Sequence, residues 1–192
     1  MRRNLVLALV LLVTVLGIVI GREFYPTKKA TFALASLPTS TPIRAGMEIS
    51  SPAFENNHAI PKIYTCDGKN INPSLLFSNI PQRAKNLALI VDDPDAPAGT
   101  WVHWIVFNIP TTTKEIAENS VPAGSTLGIT SFGKPGYGGP CPPSGTHRYF
   151  FKLYALDTII DASRKTTKAI LEAEIQGHII DQAETIGLYQ RT

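Results

Sequence analysis

Three short runs of β-branched, aromatic and aliphatic residues constrain the fold most, because such runs bounded by Pro, Gly or Asn are typical of strands. Residues Leu87–Val91 are apolar throughout, which predicts a strand covered on both faces. In Trp101–Ile109 and His147–Leu156, apolar side chains occupy both alternating sets, so these runs are also predicted to be central strands. Strict alternation places His103 and Ile105 on the same face of their strand.

Outside these runs the chain contains little helix-forming sequence. Residues Lys165–Gly177 contain strong helix formers and end in a glycine suited to stop a helix, and residues 184–191 favour a last strand. The 192 residues include 14 Gly and 15 Pro, and only 17 % are charged, which favours a loop-rich fold over a helical bundle. With 44 % apolar residues the chain is not disordered throughout. We therefore predict a mainly β fold, an antiparallel β-sandwich with few short helices.

The N-terminal part of the chain differs from the rest. Residues 5–20 are almost entirely apolar and follow two arginines, which predicts a transmembrane signal anchor over residues 1–21 or, as the alternative, a cleaved secretory signal. Residues 22–45 are rich in Thr, Pro and Ser, which predicts an extended linker. The folded domain is expected at residues 46–192. It would lie on the extracytoplasmic side as part of a single-pass membrane protein, or be secreted after signal cleavage.

The formal net charge of +3 belongs to the N-terminal segments. Residues 1–45 hold six Lys or Arg and one Asp or Glu, whereas residues 46–192 hold twelve and fourteen, so the predicted domain is slightly acidic. A nucleic-acid partner is therefore not expected. Any affinity of the domain for anions must come from a local pocket.

Two loops and the strands that follow them contain the candidate chemistry. Three carboxylates, in Asp92-Asp93-Pro94-Asp95, begin where the first predicted strand ends, and His103 follows after a few residues. The second loop, Gly133–Gly145, is rich in Gly and Pro and runs into His147. Each feature alone is more typical of a turn, a packed strand histidine or a connecting loop. Together they predict the wall of a small pocket.

The sequence contains no Gly-x-Ser-x-Gly elbow, no phosphate-binding Gly-x-x-x-x-Gly-Lys-Ser/Thr loop and no His-Glu-x-x-His pair. The candidate histidines, His103 and His147, share no known metal-ligand spacing. We therefore expect no metal and no cofactor.

These segments resemble the signatures of the phosphatidylethanolamine-binding protein family. Residues 90–97 with residues 101–104 are similar to the first signature, and residues 137–149 are similar to the second. Tyr-Thr-Cys-Asp-Gly at residues 64–68 and Gly-His-Ile at residues 177–179 are similar to the bacterial and archaeal branch, often called Raf kinase inhibitor-like. The resemblance extends from Ile49 to Arg191.

The resemblance implies a β-sandwich with a small surface pocket for anionic groups such as phosphate or a phospholipid headgroup. The pocket residues that it implies are Asp93, Asp95, His103, Gly139, Pro140, His147 and Tyr149. The chain departs from the pattern at Thr130-Ser131, where prokaryotic relatives commonly have Asn-Asp, and at Phe77, where Trp is common.

Three functions are compatible with this pattern. The first is a membrane-tethered, non-enzymatic binding module for a phosphate-bearing or other small anionic ligand. The second is an inhibitor of a protease or kinase that acts through surface loops. The third is a phosphoesterase that uses His103 and His147 as acid and base. The two cysteines, Cys66 and Cys141, both border the predicted pocket, and whether they form a disulfide stays open.

Overall fold

Strands form at all three apolar runs in the computed structural model, which describes residues 46–161 and 165–191. The regular elements, in chain order, are β1 (Glu48–Ser50), β2 (His58–Ala59), a 3₁₀ turn (Lys62–Tyr64), β3 (Leu75–Ser78), β4 (Asn86–Asp93), β5 (Trp101–Ile109), β6 (Glu115–Ile116), β7 (Thr126–Leu127), β8 (Thr146–Leu156), α1 (Lys168–Ile175) and β9 (Ile179–Gln190). The long strands are the predicted ones, with β9 beginning five residues earlier than expected.

The strands form two sheets. The larger sheet has the order β2-β9-β8-β4-β5-β7, and the smaller one has the order β1-β3-β6. Between the strands named above, every pairing is antiparallel except that of β2 with β9. The prediction of a mainly β fold with few short helices is confirmed.

Strand β4 lies at the centre of the larger sheet and is buried along its whole length. Leu87, Leu89 and Val91 belong to the main core, which also includes side chains of the smaller sheet. Ala88 and Ile90 belong to a second core, on the opposite face, to which α1 contributes. A strand with apolar neighbours on both faces needs apolar residues at every position, as the sequence predicted.

The helix α1 is shorter than predicted because Thr167 caps its first turn, the Thr167 side chain accepting from the Ile170 amide. Leu171 and Ile175 pack this helix against the second core. Gly177 follows its end with a φ of 81°, a conformation that glycine adopts without strain.

The strict alternation predicted for β5 is wrong. Val91 of β4 pairs with Trp104, but the next residue, Asp92, pairs with Val102, so His103 is an extra residue in its strand. As a result, Val102 and Ile105 both face the second core. They are three positions apart, so in a regular strand they would point to opposite faces. A β-bulge of this kind redirects a side chain. It leaves His103 beside Tyr149 instead of beside Ile105.

One part of the fold prediction is corrected. We expected a transmembrane helix at residues 1–21, ahead of the sandwich. Within residues 46–161 and 165–191, no helix is both long enough and apolar enough to span a bilayer. Residues 1–21 and the expected linker over residues 22–45 lie outside the described residues.

Candidate functional site

A cavity of about 480 Å³ opens where β4, β5 and β8 meet the loops that the sequence singled out. Four predicted residues line it, namely Asp93, His103, His147 and Tyr149. Eight further residues complete the lining: Ala96, Pro97, Ala98, Trp101, Phe132, Cys141, Pro142 and Pro143. The polar groups are therefore few, and most of the wall is apolar.

His147 is held by a buried carboxylate. Its Nδ1 lies 2.7 Å from Oδ2 of Asp93, and both side chains are less than a tenth exposed. The other oxygen of this carboxylate, Oδ1, accepts from the Asp95 amide at 2.8 Å. Because an acceptor faces Nδ1, the proton of a neutral His147 ring lies on Nδ1. Its Nε2 has no hydrogen-bond partner among the described residues and is free to contact a ligand.

His103 is fixed by a backbone carbonyl. Its Nδ1 lies 2.6 Å from the Gly138 oxygen, and the Gly138 amide donates to the His103 carbonyl at 2.9 Å. Burial lowers the pKa of the His103 imidazole below its ordinary value, and this effect exceeds the opposing influence of the Gly138 carbonyl and of the Asp93 charge. The ring is therefore neutral at pH 7, with its proton on Nδ1.

Tyr149 supplies a hydroxyl to the same cavity. Its ring meets that of His103 edge-on, with 5.2 Å between centroids. Burial, together with the Asp93 charge, raises the pKa of Tyr149, so the phenol keeps its proton. The oxygen is buried without a hydrogen-bond partner among residues 46–161 and 165–191, the Cys141 amide lying nearby but outside hydrogen-bond geometry. An unpaired buried hydroxyl is costly, which favours a polar ligand here.

Asp95, predicted as a pocket residue, does not line the cavity. Its carboxylate accepts from Nε and Nη2 of Arg148 at 2.9 and 2.7 Å, and also from the Arg148 amide at 3.0 Å. Hydrogen bonds from Arg148 lower the pKa of Asp95 to about 2. Asp95 therefore anchors the loop after β4 to β8 instead of facing a ligand.

Gly139 and Pro140, also predicted as pocket wall, lie behind the wall. The Gly139 amide donates to Oδ1 of Asn70 at 2.6 Å, and a Cβ on Gly139 would collide with the Tyr64 carbonyl. The Pro140 carbonyl accepts from the Cys66 amide at 3.1 Å. This part of the loop is in contact with the 3₁₀ turn and the residues that follow it, and it presents Cys141 and the two following prolines to the cavity.

Cys66 and Cys141 form a disulfide, the pairing that the sequence left open. The bond joins residues 75 positions apart, with a Cα–Cα distance of 5.4 Å. Since Cys141 lines the cavity, the bond fixes one wall covalently to the turn that contains Cys66.

Two aromatic residues that the prediction missed form the mouth of the cavity. Trp101 and Phe132 are 36 % and 42 % exposed, and their rings meet at 83° with 5.5 Å between centroids. Phe132 also contacts the His103 ring, and it covers Gly138 so closely that a Cβ there would collide with it. Their position beside the Asp-Pro-Asp and Gly/Pro loops was the available signal, because contiguous exposed apolar surface often marks a ligand-binding site.

Thr130-Ser131, where the chain departs from the family pattern, lie in the loop after β7, and this loop is hydrogen-bonded to β5. Oγ of Ser131 accepts from the Val102 amide at 2.8 Å, and the Ser131 amide donates to the Val102 carbonyl at 3.0 Å. Phe77, the other departure, is buried in the main core.

No group of three or more His, Cys, Asp or Glu side chains that could hold a metal ion occurs in the part of the chain that the structure describes. Lys and Arg are also absent from the lining residues. A cavity with a small polar floor and apolar walls, set on rigid strands, is characteristic of proteins that bind small ligands.

The comparisons identify the family. The sequence model described as phosphatidylethanolamine-binding protein matches residues 50–190. A UPF0098 protein of Methanothermobacter thermautotrophicus is 47 % identical over 150 residues, which cover 76 % of this chain and 99 % of that protein. A UPF0098 protein of Aquifex aeolicus is also 47 % identical, over 156 residues covering 76 % of this chain and 89 % of that protein. The chain belongs to the phosphatidylethanolamine-binding protein family.

Solved structures agree with this assignment. A phosphatidylethanolamine-binding protein homologue from Chlamydia trachomatis, CT736, is 41 % identical, with a TM-score of 0.74 over 77 % of this chain and 99 % of that one. YbcL of E. coli, described as a new member of the mammalian family, is 31 % identical, with a TM-score of 0.72 over 77 % and 100 % of the two chains.

Proposed function

We propose that this protein is a non-enzymatic binding protein whose cavity takes a small anionic group, such as phosphate or a phosphorylated headgroup. One observation carries the proposal. Three polar atoms in the same buried cavity have no hydrogen-bond partner among the described residues: Nε2 of His103, Nε2 of His147 and the hydroxyl of Tyr149. The orientation of both rings is fixed by other contacts, so the cavity is preorganised for a ligand.

The mouth of the cavity indicates what is attached to that group. Trp101 and Phe132 present exposed ring surface at the entrance, and Pro142 and Pro143 continue it. An apolar entrance above a polar floor favours a ligand with an anionic end and an apolar or flat substituent. Binding of this kind needs no nucleophile.

The test is a titration of the full-length chain, labelled with ¹⁵N at histidine, with inorganic phosphate and with phosphoethanolamine. The ring resonances of His103 and His147 are expected to shift together, while those of His58 and His178, which lie outside the cavity, stay in place. Absence of any shift at millimolar ligand would contradict an anion pocket.

A matched pair of variants separates the cavity from the rest of the surface. In His147→Asn the amide nitrogen can still donate to Asp93, but nothing replaces Nε2, so phosphate affinity should fall. His178→Asn changes an exposed histidine that is bonded to Asp157 and should leave affinity unchanged. Turnover of a phosphomonoester by the purified chain, lost in His147→Asn but kept in His178→Asn, would replace the binding proposal with an enzymatic one.

A further inference from the structure

A smaller cavity, of about 190 Å³, shares no lining residue with the candidate site. Its walls come from β5, the Gly/Pro loop, the segment between the 3₁₀ turn and β3, and the loop between β6 and β7. One water molecule takes up roughly 30 Å³ in the liquid, and pockets for larger ligands measure roughly 300–1,000 Å³. The smaller cavity is therefore suited to a small organic molecule.

The lining of the smaller cavity is polar but carries no charge. Three asparagines, one serine and one tyrosine contribute polar side chains, and no Asp, Glu, Lys, Arg or His is among the described residues that line it. An ion would find no counter-charge here, and its desolvation would be costly. Amide and hydroxyl groups both donate and accept hydrogen bonds, which matches the hydroxyl groups of an uncharged ligand.

Several of these polar groups hold the walls in place. Nδ2 of Asn72 donates to the Ala117 carbonyl at 3.0 Å, and Oδ1 of the same side chain accepts from the Ser120 amide at 3.0 Å. The Tyr137 hydroxyl donates to the Tyr64 carbonyl at 2.9 Å. The loop between β6 and β7 and the Gly/Pro loop are thus fixed by contacts within the protein, so the smaller cavity is formed before a ligand binds.

Two lining groups have no such task. Nε1 of Trp104 is buried and has no hydrogen-bond partner among the described residues, although a buried indole N–H usually finds an acceptor. The side chain of Asn119 is exposed and makes no hydrogen bond within residues 46–161 and 165–191, while its backbone amide donates to the Asn72 carbonyl at 3.1 Å. The smaller cavity therefore combines a buried donor with an accessible amide.

We propose that the smaller cavity binds a small uncharged molecule with several hydroxyl groups, such as a polyol or a single sugar ring. One ligand oxygen accepts from Nε1 of Trp104, and the side-chain amide of Asn119 bonds to a second hydroxyl. Pairing a buried donor removes the cost of leaving it unsatisfied. The rings of Trp104 and Tyr137, which meet edge-on with 5.6 Å between centroids, supply apolar surface for the C–H groups of the ligand.

The test follows the two tryptophan indole signals in ¹H–¹⁵N spectra of the full-length chain, assigned with the variant Trp101→Phe. Trp101 lines the cavity of the candidate site, so its signal is an internal control. The probes are glycerol, glucose, methyl α-glucoside and glucuronate. Glucose or glycerol at millimolar concentration should shift the Trp104 signal in a saturable way and leave the Trp101 signal in place.

The two other probes sharpen the ligand class. Methyl α-glucoside represents a sugar unit linked within a glycan, so its affinity relative to glucose separates a bound sugar unit from a free sugar. Glucuronate has the same ring with a carboxylate and should bind roughly tenfold or more weakly, because no cation lines the smaller cavity. Equal binding of glucuronate overturns the preference for an uncharged ligand. Equal shifts of both indole signals, or no shift of Trp104 with any probe, as expected if only water enters, overturn the site.

A matched pair of variants assigns the contact at Asn119. Asn119 and Asn79 are both exposed and both have a left-handed backbone, with φ of 51° and 54°, so glycine replaces either without strain. Asn119→Gly should weaken glucose binding roughly three- to tenfold, as expected for the loss of one neutral hydrogen bond. Asn79→Gly, outside the lining, should keep the wild-type affinity. Equal affinity of the two variants would contradict the contact, whatever the candidate site does with phosphate.

Discussion

Asp92 and Asp93 are neighbours on the same strand, and both are buried, yet their surroundings differ completely. The Asp92 carboxylate, fully buried, contacts the ammonium groups of Lys152 and Lys168 at 2.9 and 2.6 Å. Asp93 faces the cavity and contacts His147. Because side chains alternate along a strand, one step in sequence separates the two faces of the sheet.

The comparison shows that the role of a buried carboxylate depends on the groups it contacts. On the face of the sheet that packs against α1, which we call the helix side, two lysine ammonium groups contact the single carboxylate of Asp92. Burial opposes the charge of Lys168, but its contact with Asp92 holds the pKa of Lys168 above the ordinary value. The carboxylate thereby connects β4, β8 and α1, and it is not among the residues that line the cavity of the candidate site. On the other side, the partner of Asp93 is an imidazole whose second nitrogen stays available.

The largest expected effect concerns a crosslink that only the cavity side has. Replacing Cys66 and Cys141 together by Ser should lower the free energy of unfolding by about 4 kcal/mol, because the bond closes a loop spanning 75 positions. Phosphate affinity should fall as well, since Cys141 is part of the cavity wall. Denaturant unfolding and calorimetry measure the two quantities. Unchanged affinity would show that the wall keeps its position without the bond.

The next largest effect is expected on the helix side. Asp92→Asn should cost about 3 kcal/mol of unfolding free energy, since the partly buried ammonium group of Lys152 loses its anion and that of Lys168 keeps only its longer contact to Glu172, at 3.6 Å. The cost is at the low end for a buried pair because both lysines reach solvent. Denaturant unfolding measures it, and phosphate affinity should stay at the wild-type value. A loss of affinity without a loss of stability would contradict the separation of the two faces.

Asp93→Asn is the same substitution at the next residue of β4, on the cavity side of the sheet. It should cost about 1–2 kcal/mol of unfolding free energy, because a neutral amide oxygen can still accept from His147 but without the charge. It also removes the buried negative charge beside His147, so inorganic phosphate should bind more tightly than to the wild type. Calorimetry with phosphate measures the affinity. An affinity equal to that of the wild type would mean that the Asp93 charge does not influence anion binding.

The smallest expected effect is a pH dependence of stability that originates on the cavity side. The pKa of His103 in the folded protein is lowered from its ordinary 6.5 by burial, so the unfolded chain binds the proton more tightly. The contribution of this ring to stability is complete above about pH 6.5 and is lost as the pH falls towards the folded pKa. Below that pH the unfolding free energy of the wild type should fall more steeply than that of His103→Asn, measured in parallel. Parallel curves would argue against a neutral, buried ring.

Much of the fold could be predicted because it depends on local periodicity. The alternation in β8 places Tyr149 and Phe151 on the same face of the strand, and both lie in the main core. The alternation in β5 failed at His103 because a bulge depends on pairing with another strand, which the sequence of one strand does not contain.

The candidate site could be predicted less completely than the fold. Polar residues such as Asp93 and His147 stand out by type and by resemblance. Asp95 was assigned to the pocket by the resemblance, whereas in the structure its carboxylate pairs with Arg148. Trp101 and Phe132 meet only in three dimensions, because the loop that contains Phe132 folds back onto β5.

The extra residue in β5 also bears on how well ligand binding can be transferred from one homologue to another. The position of His103 depends on a one-residue offset between two strands, so deletion of a single β5 residue would restore regular pairing and preserve the sandwich while moving His103 out of the cavity. Two homologues could then share the fold and even a histidine in this strand and still differ in what they bind. Among relatives, the length of β5 between the Asp-Pro-Asp loop and its central tryptophan is therefore a more direct marker of a shared ligand than overall identity.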